Sequence, residues 1–129
     1  ASKKIKELHI FGNDWNTFDG TCIRDYIHVM DLAQGHIEAL KKVNESEKLM
    51  FCLNLGTSKG TSVLELVNTF SRVNEVSIPF SFQDRRKGDL GFIVSDNALA
   101  RKILKWRPTK NIEDMCKDGW NWQKNFVEI

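Results

Sequence analysis

Apolar positions in this chain fall into short blocks whose spacing switches between a period of two and a period near 3.6. Ile5, Leu8, Ile10 and Phe11 make an apolar start, and Gly12 to Gly20 (GNDWNTFDG) follows as a loop rich in turn formers that carries two aromatics. Between Ile23 and Met30 the alternation predicts a strand with Ile23, Asp25, Ile27 and Val29 on one face. Arg24, Tyr26, His28 and Met30 fall on the other, so Arg24 and Tyr26 are expected to point the same way. A helix is predicted from Asp31, with Asp31 as N-cap and Gln34 completing a capping box. Its apolar stripe would be Leu32, Ala33, His36, Ile37, Leu40 and Val43, and it would end in the polar run Asn44 to Lys48.

Leu49 to Leu55 (LMFCLNL) is almost unbroken apolar sequence ahead of Gly56, which predicts an interior strand covered on both faces. Ser62 and Glu65 predict a capping box opening a second helix, with Val63, Leu64, Val67, Phe70 and Val73 toward the core. Ile78 to Phe82 predicts an edge strand, because Pro79 cannot donate to a ladder. A short helix is expected from about Asp96 to Leu104. A last one should begin near Asn111, with Ile112, Met115, Cys116, Gly119, Trp122 and Phe126 on one side. Strands alternating with about four helices give an α/β fold, expected to form one domain over residues 1–129.

Composition narrows the function classes. At 129 residues and 41% hydrophobic the chain can bury a real core. Nineteen Lys and Arg against seventeen Asp and Glu leave a net charge of +2, so no global field recruits nucleic acid or a membrane surface. No apolar run approaches the ~20 residues that span a bilayer. The amphipathic N-terminal run ASKKIKELHIFG lacks the apolar centre of a signal sequence, so a cytoplasmic location is expected. Cys22, Cys52 and Cys116 lie far apart and are expected to be reduced and mostly buried.

Several residues could carry chemistry. Arg24 offers a planar, permanently charged fork suited to phosphate, and Tyr26 could donate to the same ligand; a surface ion pair is the competing reading of Arg24. Asp25, on the apolar face, is either a buried hydrogen-bonded carboxylate or a partner of its own segment's backbone. Arg85, Arg86 and Lys87 sit in a loop at a strand end, where α/β folds place ligands, although a solvated charge run reads the same way. Asp89 could accept ribose or sugar hydroxyls, or simply form a turn. Gly56 to Ser62 (GTSKGTS) resembles a phosphate loop only weakly, fitting neither GxxxxGK[ST] nor GxGxxG. His9, His28 and His36 lack metal-binding spacing, and the C-terminal tryptophans suit packing.

Taken together, IFGNDWNTFDGTCIRDYIHVMDLAQGHIEALKKV, NLGTSKGTSVLELVNTF, RRKGD and LKWRPTKNIEDMCKDGWNWQKN resemble the C-terminal part of UDP-glucose 4-epimerases, in the extended short-chain dehydrogenase/reductase superfamily. The resemblance covers Ile10 to Asn125 with its motifs in the family's order. It implies a parent enzyme that interconverts UDP-glucose and UDP-galactose through a 4-keto intermediate, using a tightly held NAD. The NAD and the catalytic YxxxK would lie in an N-terminal dinucleotide-binding half, and the C-terminal part would hold UDP. Carried over by motif, Arg24 and Arg86 should contact the diphosphate, Tyr26 and Asp89 the ribose or diphosphate region, and Phe11 should lie beside the uracil.

These residues contain no GxxGxxG, and the single tyrosine, Tyr26, has Met30 rather than Lys four positions on. The Rossmann half is therefore expected to be absent here, and the 129 residues are expected to bind no NAD and to be inactive alone. Ser58 stands where relatives usually carry glycine, which puts the loop's backbone angle in question. Ile93 stands where some relatives carry an aromatic, suggesting room for the N-acetylated hexose of UDP-GlcNAc or UDP-GalNAc. A non-enzymatic nucleotide-sugar-binding or interaction module, or another reductase acting on nucleotide sugars, remains an alternative. An interior strand without its neighbours would expose apolar surface, so self-association is expected.

Overall fold

A computed structural model describes residues 1–2, 4–45 and 50–125. Strand β1 (Leu8–Phe11) pairs in parallel with β4 (Phe80–Gln83), Phe11 opposite Gln83. A second sheet has the order β3-β2-β5. Its middle strand β2 (Ile23–Arg24) runs antiparallel to β3 (Thr61–Ser62) and parallel to β5 (Phe92–Ile93). The helices are α1 (Val29–Asn44), α2 (Val63–Asn74), α3 (Ala98–Leu104) and α4 (Ile112–Asn125). The α/β expectation with four helices matches this architecture. Among the described residues no helix is long and apolar enough to cross a membrane.

The predicted capping box of α2 is present: Ser62 Oγ accepts the Glu65 N–H at 3.0 Å, and the Glu65 carboxylate accepts the Ser62 N–H. Val67 on that helix is buried, and α2 packs on α4 through the Phe70 and Trp120 rings, edge to face at 5.8 Å. Asn74 Nδ2 adds a bond to the Cys116 carbonyl at 3.1 Å, closing the α2–α4 contact at its far end. Cys22 and Cys116 are buried as free thiols, while Cys52 is exposed.

Three expectations need correction. The strand predicted over Ile23 to Met30 ends at Arg24, because α1 begins at Val29. Its N-cap is His28, whose Nδ1 accepts the Met30 N–H at 3.1 Å and whose Nε2 faces Asp118 Oδ2 at 3.1 Å, so Asp31 is not the cap. Of the apolar stripe on α1, Ile37, Leu40 and Val43 are exposed, while Asp31 and Gly35 on the same helix are buried. Residues 50–55 join no ladder, although Phe51, Leu53 and Leu55 still pack on the core of Ala100, Leu104 and Trp106; Leu49 lies outside the described residues. Smaller shifts move the edge strand to Phe80–Gln83, and Trp122 is exposed; Phe126 lies outside the described residues.

Polar clamps explain why Asp31 is buried where an apolar residue would serve. Its carboxylate accepts the Thr109 N–H at 3.1 Å, the Lys110 N–H at 2.9 Å and the Thr109 hydroxyl at 2.9 Å, while its carbonyl accepts Trp106 Nε1–H at 2.9 Å. The turn after α3 is thereby fastened to α1. Gly35 allows the contact, since a Cβ there would meet Leu55 Cδ1 at 2.9 Å.

Asp19 plays the same part for the loop after β1. It accepts the Thr21 N–H at 2.9 Å and hydroxyl at 2.8 Å and the Ser62 hydroxyl, with Thr21 and Ser62 fully buried.

Asp25 makes the densest clamp. Its carboxylate accepts the N–H and hydroxyl of Thr57, the Ser58 N–H at 3.1 Å, and the N–H and hydroxyl of Ser95. Five donors thus converge on one side chain just past β2, resolving the two sequence readings in favour of a hydrogen-bonded carboxylate. Burial works against ionisation of Asp19, Asp25 and Asp31, but the hydrogen bonds outweigh it and hold all three below the usual carboxylate range.

Truncation by Asp25→Ala strands those donors and should cost about 3–5 kcal/mol in urea unfolding, whereas a loss below about 1 kcal/mol would contradict the clamp. Each folded-state pKa lies below the unfolded value of about 3.9, so the stabilisation is complete above that value and is lost as pH falls through the lower folded value. Urea midpoints should therefore drop as pH falls below about 5, less steeply in Asp25→Asn. A parallel decline in the two proteins would show that Asp25 does not contribute.

Candidate functional site

The parallel register that ends β1 and β4 together carries the chain leaving β4 across the tip of β1. Gly12 N–H donates to the Gln83 carbonyl at 2.8 Å, and the loop from Asp84 to Asp89 follows. Arg86 lies over the Phe11 ring with its guanidinium carbon 4.7 Å from the centroid. Its Nε donates to Asp89 Oδ2 at 2.8 Å, and the Asp89 N–H returns to the Arg86 carbonyl at 3.2 Å. One face of the guanidinium and one of its nitrogens are spent on positioning it. Its two terminal nitrogens have no partner among the described residues.

Arg85 is committed more fully. It stacks 4.0 Å above Trp15, donates from Nε to Asp14 Oδ1 at 2.7 Å and from Nη2 to the Asp14 carbonyl. The Arg85 guanidinium holds the Asp14 carboxyl below its ordinary value. Of the three cations in the loop, Arg85 therefore braces the Gly12 to Gly20 turn and Arg86 is left with donors to offer.

Arg24 stands in the middle strand opposite Thr61 on one side and Ile93 on the other. Its Nη1 donates to the Ile23 carbonyl at 2.9 Å, and it meets no carboxylate among the described residues. The surface ion-pair reading of Arg24 is thereby removed. With Asn54, Leu55, Ile93 and Ser95 it lines a groove of about 390 Å³.

Tyr26 lies elsewhere, on a separate cavity of about 540 Å³ with Thr57, Lys59 and Thr109. The ladder that would hold Tyr26 in alternation with Arg24 stops two residues before it. Burial raises the Tyr26 pKa against the opposing Arg24 charge, so the phenol stays protonated at neutral pH. Of the sequence candidates, then, Phe11, Arg86 and Asp89 meet in one cluster, Arg24 meets Ile93, and Tyr26 faces another space.

Gly56 to Ser62 does not serve as a phosphate cradle. The Thr57 and Ser58 amides point at Asp25, and a Cβ at Gly56 would meet Asp25 Oδ2 at 2.4 Å. The amides a pyrophosphate would need are already used, and the carboxylate beside them repels one, so this loop does not fit NAD. Ser58 does adopt the left-handed angle questioned from sequence, with φ of 57°. Its N–H on Asp25 and its hydroxyl accepting the Asn97 N–H at 3.1 Å hold it there. Thr57, Ser95 and Asn97, which organise this junction, were missed by sequence reasoning because their partners lie 32–70 residues away; only the isolated Asp25 on an apolar face hinted at them.

Comparison with known proteins places this geometry. The family model of GDP-mannose 4,6-dehydratase matches residues 1–119. The UDP-glucose 4-epimerase of Bacillus subtilis is 47% identical over 127 residues, 98% of this chain and 37% of that protein. The solved UDP-glucose 4-epimerase of Stenotrophomonas maltophila, with bound NAD and formylated UDP-arabinopyranose, superposes with a TM-score of 0.91 at 41% identity, covering 95% of this chain and 36% of the other. That of Bifidobacterium longum, in complex with NAD+ and UDP, gives 0.88 at 39% identity, with 95% and 36% covered. This chain spans little more than a third of the length of these relatives. It belongs to the GDP-mannose 4,6-dehydratase family of extended short-chain dehydrogenases/reductases and corresponds to the C-terminal part of UDP-glucose 4-epimerases.

Proposed function

We propose that these residues form the UDP-gripping portion of a UDP-glucose 4-epimerase, with hydride transfer through NAD performed by the remainder of a longer protein. The observation that carries the reading is the Arg86 guanidinium, set against Phe11 and braced by Asp89 with its terminal nitrogens left over. A diphosphate would take those nitrogens and the unpaired donors of Arg24, two planar cations suited to oxyanions. Asp89 Oδ1, which makes no bond in the cluster, would accept a ribose hydroxyl, and the uracil would lie beside Phe11. Tyr26 would reach the ribose or diphosphate only by turning from the cavity it now lines. Without the remainder of the longer protein to close the site, the 129 residues alone should bind UDP weakly and turn nothing over.

The exposed apolar face of α1, with Ile37, Leu40 and Val43, and the unladdered segment after it would then pack against the rest of the longer protein. Alone, the chain should self-associate. Sedimentation of a single monomeric species at high concentration would contradict that expectation.

The family match at residues 1–119 favours one second reading, a nucleotide-sugar 4,6-dehydratase. Product analysis after supplying UDP-glucose to the longer protein distinguishes them: UDP-galactose supports the epimerase and a dehydrated 4-keto-6-deoxy sugar the dehydratase.

Calorimetric titration with UDP tests the site itself. Arg24→Ala and Arg86→Ala should each weaken binding by about 10- to 100-fold, the value of a charge-assisted contact. Equal affinity in all three proteins would refute the assignment of both arginines. Ile93, 48% exposed beside Arg24, should leave room for an N-acetyl group. The longer protein is accordingly expected to turn over UDP-GlcNAc, and Ile93→Tyr to depress that activity more than turnover of UDP-glucose. Strict refusal of UDP-GlcNAc by the unaltered protein would contradict the expectation.

A further inference from the structure

The cavity that Tyr26 lines holds none of Phe11, Arg24, Arg86 and Asp89. It has a volume of about 540 Å³, within the range of small-molecule sites, and is bounded by loop 57–61, α3, residues 107–111 and the start of α4. Four cations surround it: Lys59, Arg101, Arg107 and Lys110. None of the four makes a side-chain hydrogen bond or ion pair among the described residues. The single carboxylate on the wall, Glu65, is engaged with the Ser62 N–H in the capping box of α2.

A net charge of only +2 over the chain makes this concentration local rather than a sample of a basic surface. Arg72, Arg85, Arg86, Lys41 and Lys42 each hold a carboxylate, and the four around the cavity hold none among the described residues. The four around the cavity are held apart by elements whose positions Asp25 and Asp31 fix. The Asp25 clamp sets loop 57–61, and the Asp31 clamp sets the turn that carries Arg107 and Lys110. The protonated Tyr26 phenol, without a partner of its own, adds a neutral donor. Ile112 and Met115 supply an apolar wall below.

We propose that this cavity is a second ligand site, which takes the phosphate end of a small organic phosphate. The grip is by side chains: the Thr57 and Ser58 amides are spent on Asp25, and the Thr109 and Lys110 amides on Asp31. Lys59 and Lys110 supply point charges, Arg101 and Arg107 planar forks, and the Tyr26 hydroxyl a hydrogen bond to a phosphate oxygen. The site shares only Tyr26 with the UDP assignment, since Phe11, Arg24, Arg86 and Asp89 have no place in its wall.

Inorganic pyrophosphate is the probe, titrated calorimetrically into the full chain at low salt. One saturable event is expected in an Arg24→Ala/Arg86→Ala background, which removes the diphosphate grip proposed above, and it should weaken at least about tenfold when Arg101→Ala and Arg107→Ala are added. Lys59→Ala, on a different element, should weaken it as well, and thermal unfolding of each variant confirms that the fold is kept. Absence of saturable binding at millimolar pyrophosphate would overturn the proposal. So would binding in that background that Arg101→Ala with Arg107→Ala leaves intact. Failure of the UDP titration with Arg24→Ala and Arg86→Ala would leave this result standing, so the two assignments fail separately.

Discussion

The Asp25 carboxylate is the constraint on which the arrangement of this chain depends. It sits one residue past the middle strand and gathers donors from Thr57, Ser58 and Ser95, which tie the glycine loop and the segment ahead of α3 to the end of β2. A two-residue strand has little pairing energy of its own, so a charge-assisted junction at its end substitutes for ladder length. The junction also fixes what the loop can do. Its amides serve the fold, Ser58 is held in a left-handed turn, and the strand it anchors presents Arg24 beside Ile93.

A second constraint is the uneven way the chain covers its apolar surface. Ala100, Leu104 and Trp106 make a small core into which Phe51, Leu53 and Leu55 fit, with Gly35 bringing α1 close enough to touch Leu55. The opposite side of α1 carries Leu40, 63% exposed, and Met50 nearby in sequence is 95% exposed. Apolar residues at helical spacing without cover are the physical mark of an interface, and the relatives are nearly three times as long as this chain. The fold and the proposed division of labour meet on this face.

Much of this was legible in the sequence where local rules decide. The α2 capping box and the four helices follow from short-range chemistry that the side chains themselves specify, while the left-handed Ser58 was flagged by the glycine its relatives usually carry. The Phe11, Arg86 and Asp89 cluster followed from family motifs, and the structure brings the three together. Where tertiary partners decide, local pattern failed. The alternation from Ile23 to Met30 looked like a strand, but His28 caps a helix because Asp118 and the Met30 amide use both of its nitrogens. The stripe on α1 was read as apolar, and Ile37, Leu40 and Val43 on it are exposed, since periodicity reports that a face seeks cover without saying whether cover is present. The clamps by Asp19, Asp25 and Asp31 reach partners up to 79 residues away, and only Asp25 on its apolar face hinted at one.

The central claim is that Phe11, Arg24, Arg86 and Asp89 grip UDP. A map of backbone amide chemical shifts on saturation with UDP tests it most directly. The account predicts the largest changes at the end of β1, at Arg24 and its neighbour Ile93, and through residues 84–89. Changes confined to other parts of the chain, with those amides unmoved at saturation, would contradict it.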